Sequence, residues 1–584
     1  MPKDGELGLS LNVSERLKIR SLSVERLRRR AVTLTLSSPL LRWRYAGNGA
    51  DQILIVPQEL RAADPSFWTE VAHGHFGLAS QIADLKGASA FRITPPSVAW
   101  ERELHGFGWL RHLAATEEPE AAAVARELVL EWISLKKISQ GIAYEPDVIG
   151  RRLISWISQA NMLLDELDAR SYTQIMSSIG QQIVALRTTW RNAPDGVPRM
   201  VCLIALVLSG LSVSGHDKQL KEAEGALVAE LKRQILDDGG HISRSASVLS
   251  DLVLDLLPLG QCFGSRALAA PEEINIAIRK SLSFLRYMRL GDGMLARFNG
   301  VSTGSPAALA TVLGYANDDL DVMPAAEASR YTRLERGRTI VIADVGSPPP
   351  LELSTEAQAG ALSFEMTVRQ YLMLANGGFP GPADHDWDSV ARATASHNTL
   401  CLAETSSSRL IRHDQLETMV DGLPIRGPDT VTAEFNDSAA HAELTAAHDG
   451  YLKRFGLIHG RKLVLSTDGE KLEGVDTLEP PKGTLRLKQD LPFAIHFHLH
   501  PDCRCRSAGT GICRITLPDG QTWLFTSNEE AQLSIEESLY FVDSAGPRPS
   551  LQIVLRGTTF GQTSVQWSIS AEKPEKAEIQ RLPG

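Results

Sequence analysis

The sequence predicts a two-part α+β chain, with antiparallel helix pairs first and stacked antiparallel β-sheets second. Three observations predict it. From about residue 100 to residue 290, apolar residues recur at i, i+3, i+4 and i+7, the spacing of one buried helix face. Near residue 292 the period falls to two, with turn residues roughly every 8–12 positions, as strands require. The 584 residues suffice for two or more hydrophobic cores.

Taken in order, residues 1–36 begin polar and end in the basic run RLRRR, read as a solvated helix face rather than a membrane-surface patch. Short alternating runs follow, such as Asp51 to Pro57. His73 and His75 flank Gly74 and read as a loop pair rather than a metal site. Trp100, Leu104, Phe107 and Leu110 stand at helical spacing, which makes them a core stripe. Helices are then expected within 121–137, 150–168, 173–192, 199–211 and 218–236. Their joints carry stop or turn signals at Pro146-Asp147, Ala193 to Gly196, Gly210 and Gly239-Gly240. The longest apolar run, Met200 to Leu211, is shorter than the ~20 residues of a membrane-spanning helix and reads as a core helix. Residues 301–335 form a Gly/Ala/Asp-rich join, the strand pattern runs on to LQIVLRG, and 571–584 is a polar tail.

A hydrophobic content of 43% and a charged content of 22% are those of an ordinary soluble globular chain. The net charge of -10 gives no general electrostatic reason to bind nucleic acid, and a polyanionic ligand would need a local basic cleft. Six cysteines do not make a disulfide scaffold at this length. Cys503 and Cys505 share a strand face and read as plain thiols. The opening residues lack the apolar stretch of a signal peptide, so a cytoplasmic location is expected.

Several local strings together are more specific. They are Gly239-Gly240-His241, Ala296 to Gly300 (ARFNG), Gln358 to Glu365 (QAGALSFE), Arg392 to Leu400 (RATASHNTL), HDGY at 448–451, the stretch Phe455 to Ser466, and FHLHP at 497–501. They resemble the heparinase II/III-like polysaccharide lyases over about residues 90 to 580. The resemblance implies an incomplete α/α toroid followed by a C-terminal antiparallel β-sandwich. The corresponding boundaries are a docking segment at 1–95, the toroid at 96–290, a join at 291–335, the β-sandwich at 336–570 and the tail at 571–584. It also implies bacterial origin, and family habit makes the periplasm or envelope the alternative location.

The function so implied is β-elimination in a polysaccharide containing uronic acid. That chemistry neutralises the sugar carboxylate, removes the C5 proton and protonates the leaving oxygen. Several family positions are substituted here. The helical Asn and His fall on Val197 and Pro198, the Tyr on Val248, and the β-domain histidines on Glu356 and Gln358. The remaining catalytic candidates are His241, Arg244 and Arg199, with His241 read equally as a residue that caps or packs its Gly-flanked loop. Trp156, Trp190, Arg191, Gln358 and Arg392 are candidate substrate contacts, with the tryptophans read equally as core and Arg392 and His397 read also as strand supports, and His397 with Asn376 is the remnant of a metal position. One imidazole and two amides suit zinc poorly, so no cofactor is expected. His496, His498 and His500 share one strand face and read as structural. The expected partner is an acidic polysaccharide or oligosaccharide, not a nucleic acid. The alternatives are a catalytically inactive glycan-binding relative and a protein-binding scaffold.

Overall fold

The computed structural model describes residues 50–572 apart from 117, 136–140, 303–305, 316–324, 382–384, 412–424, 482–488, 529–530, 543–545 and 562. Before residue 50 it describes scattered positions between 17 and 31, so most of the RLRRR run lies outside the described residues, as do parts of the join and nearly all of the tail. The chain divides into two compact units. The first comprises Met1–Gln234, Asp251–Ile278 and Ile411–Pro424; the second comprises Ile235–Ser250, Arg279–Leu410 and Ile425–Gly584. The segment carrying His241 and Arg244, together with the first residues of the helix that follows it, therefore belongs to the β unit.

In the helical unit, α1 (Ser66–Ala72) and a short ribbon of β1 (His75–Leu78) and β2 (Gln81–Asp84) lead into the helices. These are α2 (Val98–Gly106), α3 (Leu110–Ala114), α4 (Pro119–Ser134), α5 (Pro146–Ser158), α6 (Ala160–Leu164), α7 (Ala169–Thr189), α8 (Val197–Ser212) and α9 (Leu220–Gln234). Helices α10 (Ala246–Ser265) and α11 (Glu272–Tyr287) follow, each divided between the units, with 246–250 and 279–287 assigned to the β unit. The ends have local causes. The Ser97 hydroxyl caps α2 by accepting from the Trp100 N–H, and the Asp168 carboxylate caps α7 by accepting from Arg170 and Ser171. Proline sits in the first turn of α4, α5 and α8, where no backbone donor is missed.

The expected aromatic stripe is core: Trp100, Leu104, Phe107 and Leu110 are all buried. Helix α5 packs on α8 at Gly150, where an added Cβ would lie 3.3 Å from the Cys202 Cα. Helix α8 is buried almost end to end, as the run Met200 to Leu211 predicts. Helix α10 is long and apolar enough to cross a membrane by composition alone, but 67% of its apolar window is buried inside the structure, as in a core helix.

The β unit has three main antiparallel sheets. One runs β3 (Tyr331–Arg336), β4 (Thr339–Asp344), β5 (Phe364–Val368) and β6 (Tyr371–Leu374). After β7 (Leu400–Leu402), the short strands β8 (Arg409–Leu410) and β9 (Ile425–Arg426) pair as a separate ribbon. The second main sheet has eight strands. It begins with the meander β10 (Val431–Asp437), β11 (His441–His448), β12 (Ile458–Ser466) and β13 (Lys471–Glu479). The third sheet places β14 (Pro492–His498) between β7 and β19 (Arg548–Thr558), with β18 (Gln532–Tyr540) at its edge. The meander β15 (Arg504–Gly509), β16 (Ile512–Thr516) and β17 (Thr522–Ser527) completes the second sheet, joined to β13 through β20 (Ser564–Ala571).

A single apolar core joins the three main sheets, containing Val341, Phe364, Leu463, Phe497, Phe525 and Trp567. The Phe364 and Trp567 rings stack at 5.8 Å, and Phe497 meets Trp567 edge-on at 4.7 Å. Trp567 lies over Gly474, where an added Cβ would fall 2.0 Å from its ring.

Candidate functional site

The chemistry-bearing residues read from the sequence fall into two kinds of surroundings. In the β unit, β4 ends on Asp344, and this buried carboxylate gathers the segment 238–245. Arg244, 7% exposed, donates from Nη2 to Asp344 Oδ1 at 2.6 Å. Its other donors reach the carbonyls of Ser329, Ser347 and Arg330 at 2.9–3.1 Å. Asn299 bonds both Asp344 Oδ2 and the Tyr331 hydroxyl, and that hydroxyl donates to the Arg244 carbonyl at 2.6 Å. Burial works against the Arg244 charge, but the Asp344 carboxylate outweighs it and the pKa is raised.

Arg244, Asn299 and Leu362 all hold left-handed backbone, with φ of 60°, 48° and 61°. Such conformations persist where surrounding contacts over-determine them. The neighbouring glycines have a packing cause: Gly239 has φ +84°, and a Cβ there would lie 2.0 Å from the Lys280 carbonyl oxygen. His241 is 1% exposed, and its Nδ1 bonds the Ser243 side chain and backbone at 2.7 and 3.1 Å. The candidate catalytic pair is thus tied into the fold rather than presented to a ligand.

The other β-unit candidates behave alike. Gln358 accepts from the Asn299 N–H at 3.0 Å and donates to the Gly378 carbonyl at 2.9 Å. Arg392, 1% exposed, bonds the Ala357 and Ser354 carbonyls and Asp388. Both are structural braces and offer a substrate little. His397 is fully buried with Nδ1 on the Ala393 carbonyl at 2.8 Å, and burial pushes its pKa down to about 4. Its Nε2 and the Asn376 Nδ2 have no hydrogen-bond partner among the described residues. The amide oxygen of Asn376 already accepts from the Asn398 N–H, and Nδ2 is a donor, so this pair does not fit a metal. Among the described residues no group of three or more His, Cys, Asp or Glu side chains could hold a metal ion. The two strand histidines within β14 stack at 5.8 Å, His496 on Gln552 and His498 on Ser538 and the Ala395 carbonyl, which agrees with a structural face. All six cysteines are buried free thiols.

In the helical unit, Trp156 takes the core reading and not that of a sugar platform. It is 0% exposed and sandwiched edge-on against Phe107 and Trp132 at 5.3 and 5.7 Å. Arg199 stands 3.5 Å from both Asp195 and Glu230, and its Nε is unpartnered among the described residues.

Trp190 lines a recess with Arg187, His216 and Glu222, and the Arg191 guanidinium lies 4.4 Å from the Trp190 ring centroid. Sequence reasoning named Trp190 and Arg191 but missed Arg187 and His216. The available signal was a histidine in the Ser-Gly-His turn just after the apolar helix α8, together with an arginine in the last turn of α7.

Residues 319–568 match the family model "Heparinase II/III-like, C-terminal". The "FtsZ-localized protein C" of Caulobacter vibrioides is 28% identical over 523 residues, covering 88% of this chain and 89% of its own. A crystal structure of heparinase III superposes with a TM-score of 0.66 at 13% identity, over 96% of this chain and 92% of that one. A heparan sulfate lyase mutant from Pedobacter heparinus gives 0.61 at 13% identity, over 97% and 92%. At that identity these structures establish the fold, a helical toroid region followed by a C-terminal antiparallel β-rich domain.

Proposed function

We propose that this chain, whose residues 319–568 match the heparinase II/III-like C-terminal family model, binds an acidic sugar ligand without cleaving it, in the neighbourhood of FtsZ. One observation carries the reading. The positions where the family resemblance places its proton-transfer and neutralising groups hold Val197, Pro198, Val248, Glu356 and Gln358, and two of the three remaining catalytic candidates, His241 and Arg244, are buried in internal hydrogen bonds. An aliphatic side chain cannot accept a C5 proton, and a general base must reach the proton it takes. The fold likeness to lyases supports a sugar ligand, and the FtsZ-localized relative supports the place of action; a cytoplasmic location belongs to the same proposal.

The test has two arms. The purified chain is mixed with a panel of uronic-acid polysaccharides, and absorbance of the unsaturated uronate product is followed alongside migration of the protein in glycan-containing gels. Retarded migration with flat absorbance is expected; a steady absorbance rise with any substrate would overturn the non-cleaving reading. Co-sedimentation with purified FtsZ polymers then checks the location, and a protein left wholly in the supernatant argues against direct recruitment.

Turnover by a rearranged set is the second reading, and Arg199 is its specific support, because its side chain, 19% exposed, is the most accessible of the three catalytic candidates, although Asp195 and Glu230 stand 3.5 Å from it. His241 would then have to carry the proton.

A further inference from the structure

We infer that the open cleft at the two hairpin turns of the β3–β6 sheet holds the carboxylate or sulfate of one residue in an acidic sugar chain. The class of ligand rests on the binding reading above; the place and the oxyanion chemistry come from the cleft itself. A chain of net charge -10 needs a local basic cleft to hold an acidic sugar, and this one lies wholly within the β unit. Its volume is about 360 Å³, inside the roughly 300–1,000 Å³ usual for ligand clefts.

Two turns build it. Arg336 pairs with Thr339 across the β3–β4 turn, Gly337-Arg338, and Val368 pairs with Tyr371 across the β5–β6 turn, Arg369-Gln370. The Arg369 N–H donates to the Arg338 carbonyl at 2.6 Å, so the two turns stand side by side. Each is pinned from behind. An added Cβ at Gly337 would lie 2.3 Å from the Asp468 carbonyl oxygen, and one at Gly291 would lie 1.9 Å from that of Arg369. Backbone packed this closely fixes the frame, while Arg338, Arg369 and Gln370 are exposed. A frame set before binding spares the ligand the cost of ordering it.

Both guanidinium groups have unused capacity. The Arg338 side chain has neither an ion-pair nor a hydrogen-bond partner among the described residues. Arg369 has one long contact, Nη1 to Asp519 at 3.4 Å, which leaves its Nε and Nη2 donors unused among the described residues. Glu335, the carboxylate in the cleft lining, is already held by Arg333 at 2.6 Å. Two like charges on adjoining turns repel, and an oxyanion between them replaces that repulsion with attraction to both. Each guanidinium can grip a carboxylate or sulfate with two parallel bonds.

The backbone of Arg369 points the same way. Its φ of 53° lies in the left-handed region that glycine prefers, at a two-residue hairpin turn where glycine is the common choice. Arginine gains nothing there for folding, and such strain is kept where a side chain has other work. The remaining lining suits a sugar. Ile340 is a half-buried apolar wall for ring C–H groups, and the Gln370 amide both donates to and accepts from hydroxyls.

The experiment is calorimetric titration of the full chain at low salt with four probes. A hyaluronan hexasaccharide has carboxylates alone, a carrageenan hexasaccharide has sulfates alone, maltohexaose is neutral, and inorganic sulfate is the bare anion. The tighter of the two acidic hexasaccharides is expected to bind at least about tenfold better than maltohexaose, the size of one charged hydrogen bond, and it names the oxyanion. Arg338→Ala should weaken that binding by about tenfold, and Arg338→Lys should restore part of the loss. Arg369→Gly should weaken it by about as much while the thermal midpoint holds or rises, because glycine suits that turn. A merely structural Arg369 would give a lower midpoint and unchanged affinity.

Neither acidic hexasaccharide binding better than maltohexaose, or equal affinity of wild type and the double variant Arg338→Ala with Arg369→Gly, overturns the inference. Tighter binding of a hexaglutamate peptide than of either sugar also overturns it, in favour of an acidic protein segment. If wild type and the double variant are equally retarded in glycan gels, only the cleft is lost and the general reading survives. Inorganic sulfate binding that the double variant loses, with no retardation in any glycan gel, means the converse: the cleft is an anion site and the sugar reading is lost.

Discussion

The Asp344 hub of the β unit and the recess of the helical unit hold similar side chains in opposite states. In the hub, Arg244 places its donors on one carboxylate and three carbonyls, and His241 is bonded within its own turn. In the recess, Arg187 and the His216 Nδ1 meet no partner among the described residues. The difference teaches that the presence of an arginine and a histidine in a family string does not mark a site. Chemistry needs spare hydrogen-bonding capacity at an accessible surface, and the hub has already committed its own to folding.

The comparison breaks most decisively at Asp344. Asp344→Ala would leave the Arg244 guanidinium buried and unpaired, and the expected loss is roughly 3–5 kcal/mol of stability. Urea unfolding followed by circular dichroism checks it; a loss below about 1 kcal/mol, the scale of an exposed ion pair, would mean the hub is open to water. A second strike at the β unit is Gly474→Ala. Its Cβ would fall 2.0 Å from the Trp567 ring, and overpacking of this kind costs typically about 1–3 kcal/mol, read as a lower thermal midpoint.

Acid sharpens the contrast further. Burial pushes the pKa of His397 to about 4 and that of His498 to about 3, whereas an unfolded imidazole titrates near 6.5. Below about pH 6.5 the unfolded chain takes protons that the folded β unit refuses, so stability is complete above that pH and falls as acid deepens toward about pH 4. Each such imidazole contributes a slope of roughly 1.4 kcal/mol per pH unit, and a denaturation midpoint that stays flat from about pH 6.5 to 4.5 would contradict the burial. His397→Gln should remove one share of the slope.

The smallest effect on stability belongs to the recess. Arg187→Ala should change unfolding free energy by no more than about 0.5 kcal/mol, because it removes no internal contact seen among the described residues. A larger loss would show that the guanidinium is structural, like that of Arg244.

The helices and strands were legible because their periods are written in local residue order. The stripe of Trp100, Leu104, Phe107 and Leu110 and the alternation in β11 and β12 need no distant partner to be recognised. Apolar character alone also placed Met200 to Leu211 correctly in the core. The site was far less legible. Whether Arg244 is free depends on Asp344, 100 residues later, and whether Gln358 is free depends on Asn299, 59 residues earlier. Trp156 and Trp190 look alike in sequence, yet one is enclosed by the rings of Phe107 and Trp132 and the other lines a recess. No spacing rule separates them. The membership of 235–250 in the β unit was equally hidden, since that stretch lies between two strong helical patterns.

That membership has a consequence for biosynthesis. The Gly239-Gly240-His241 segment leaves the ribosome with the helices, but the carboxylate that compensates Arg244 follows 100 residues behind. At about 5–20 residues per second, that gap lasts roughly 5–20 s. For that time a cation meant for the interior remains in water, and the turn around it has no template. The helical repeats can begin to pack during translation, while this one turn must wait for a strand that has not yet been made.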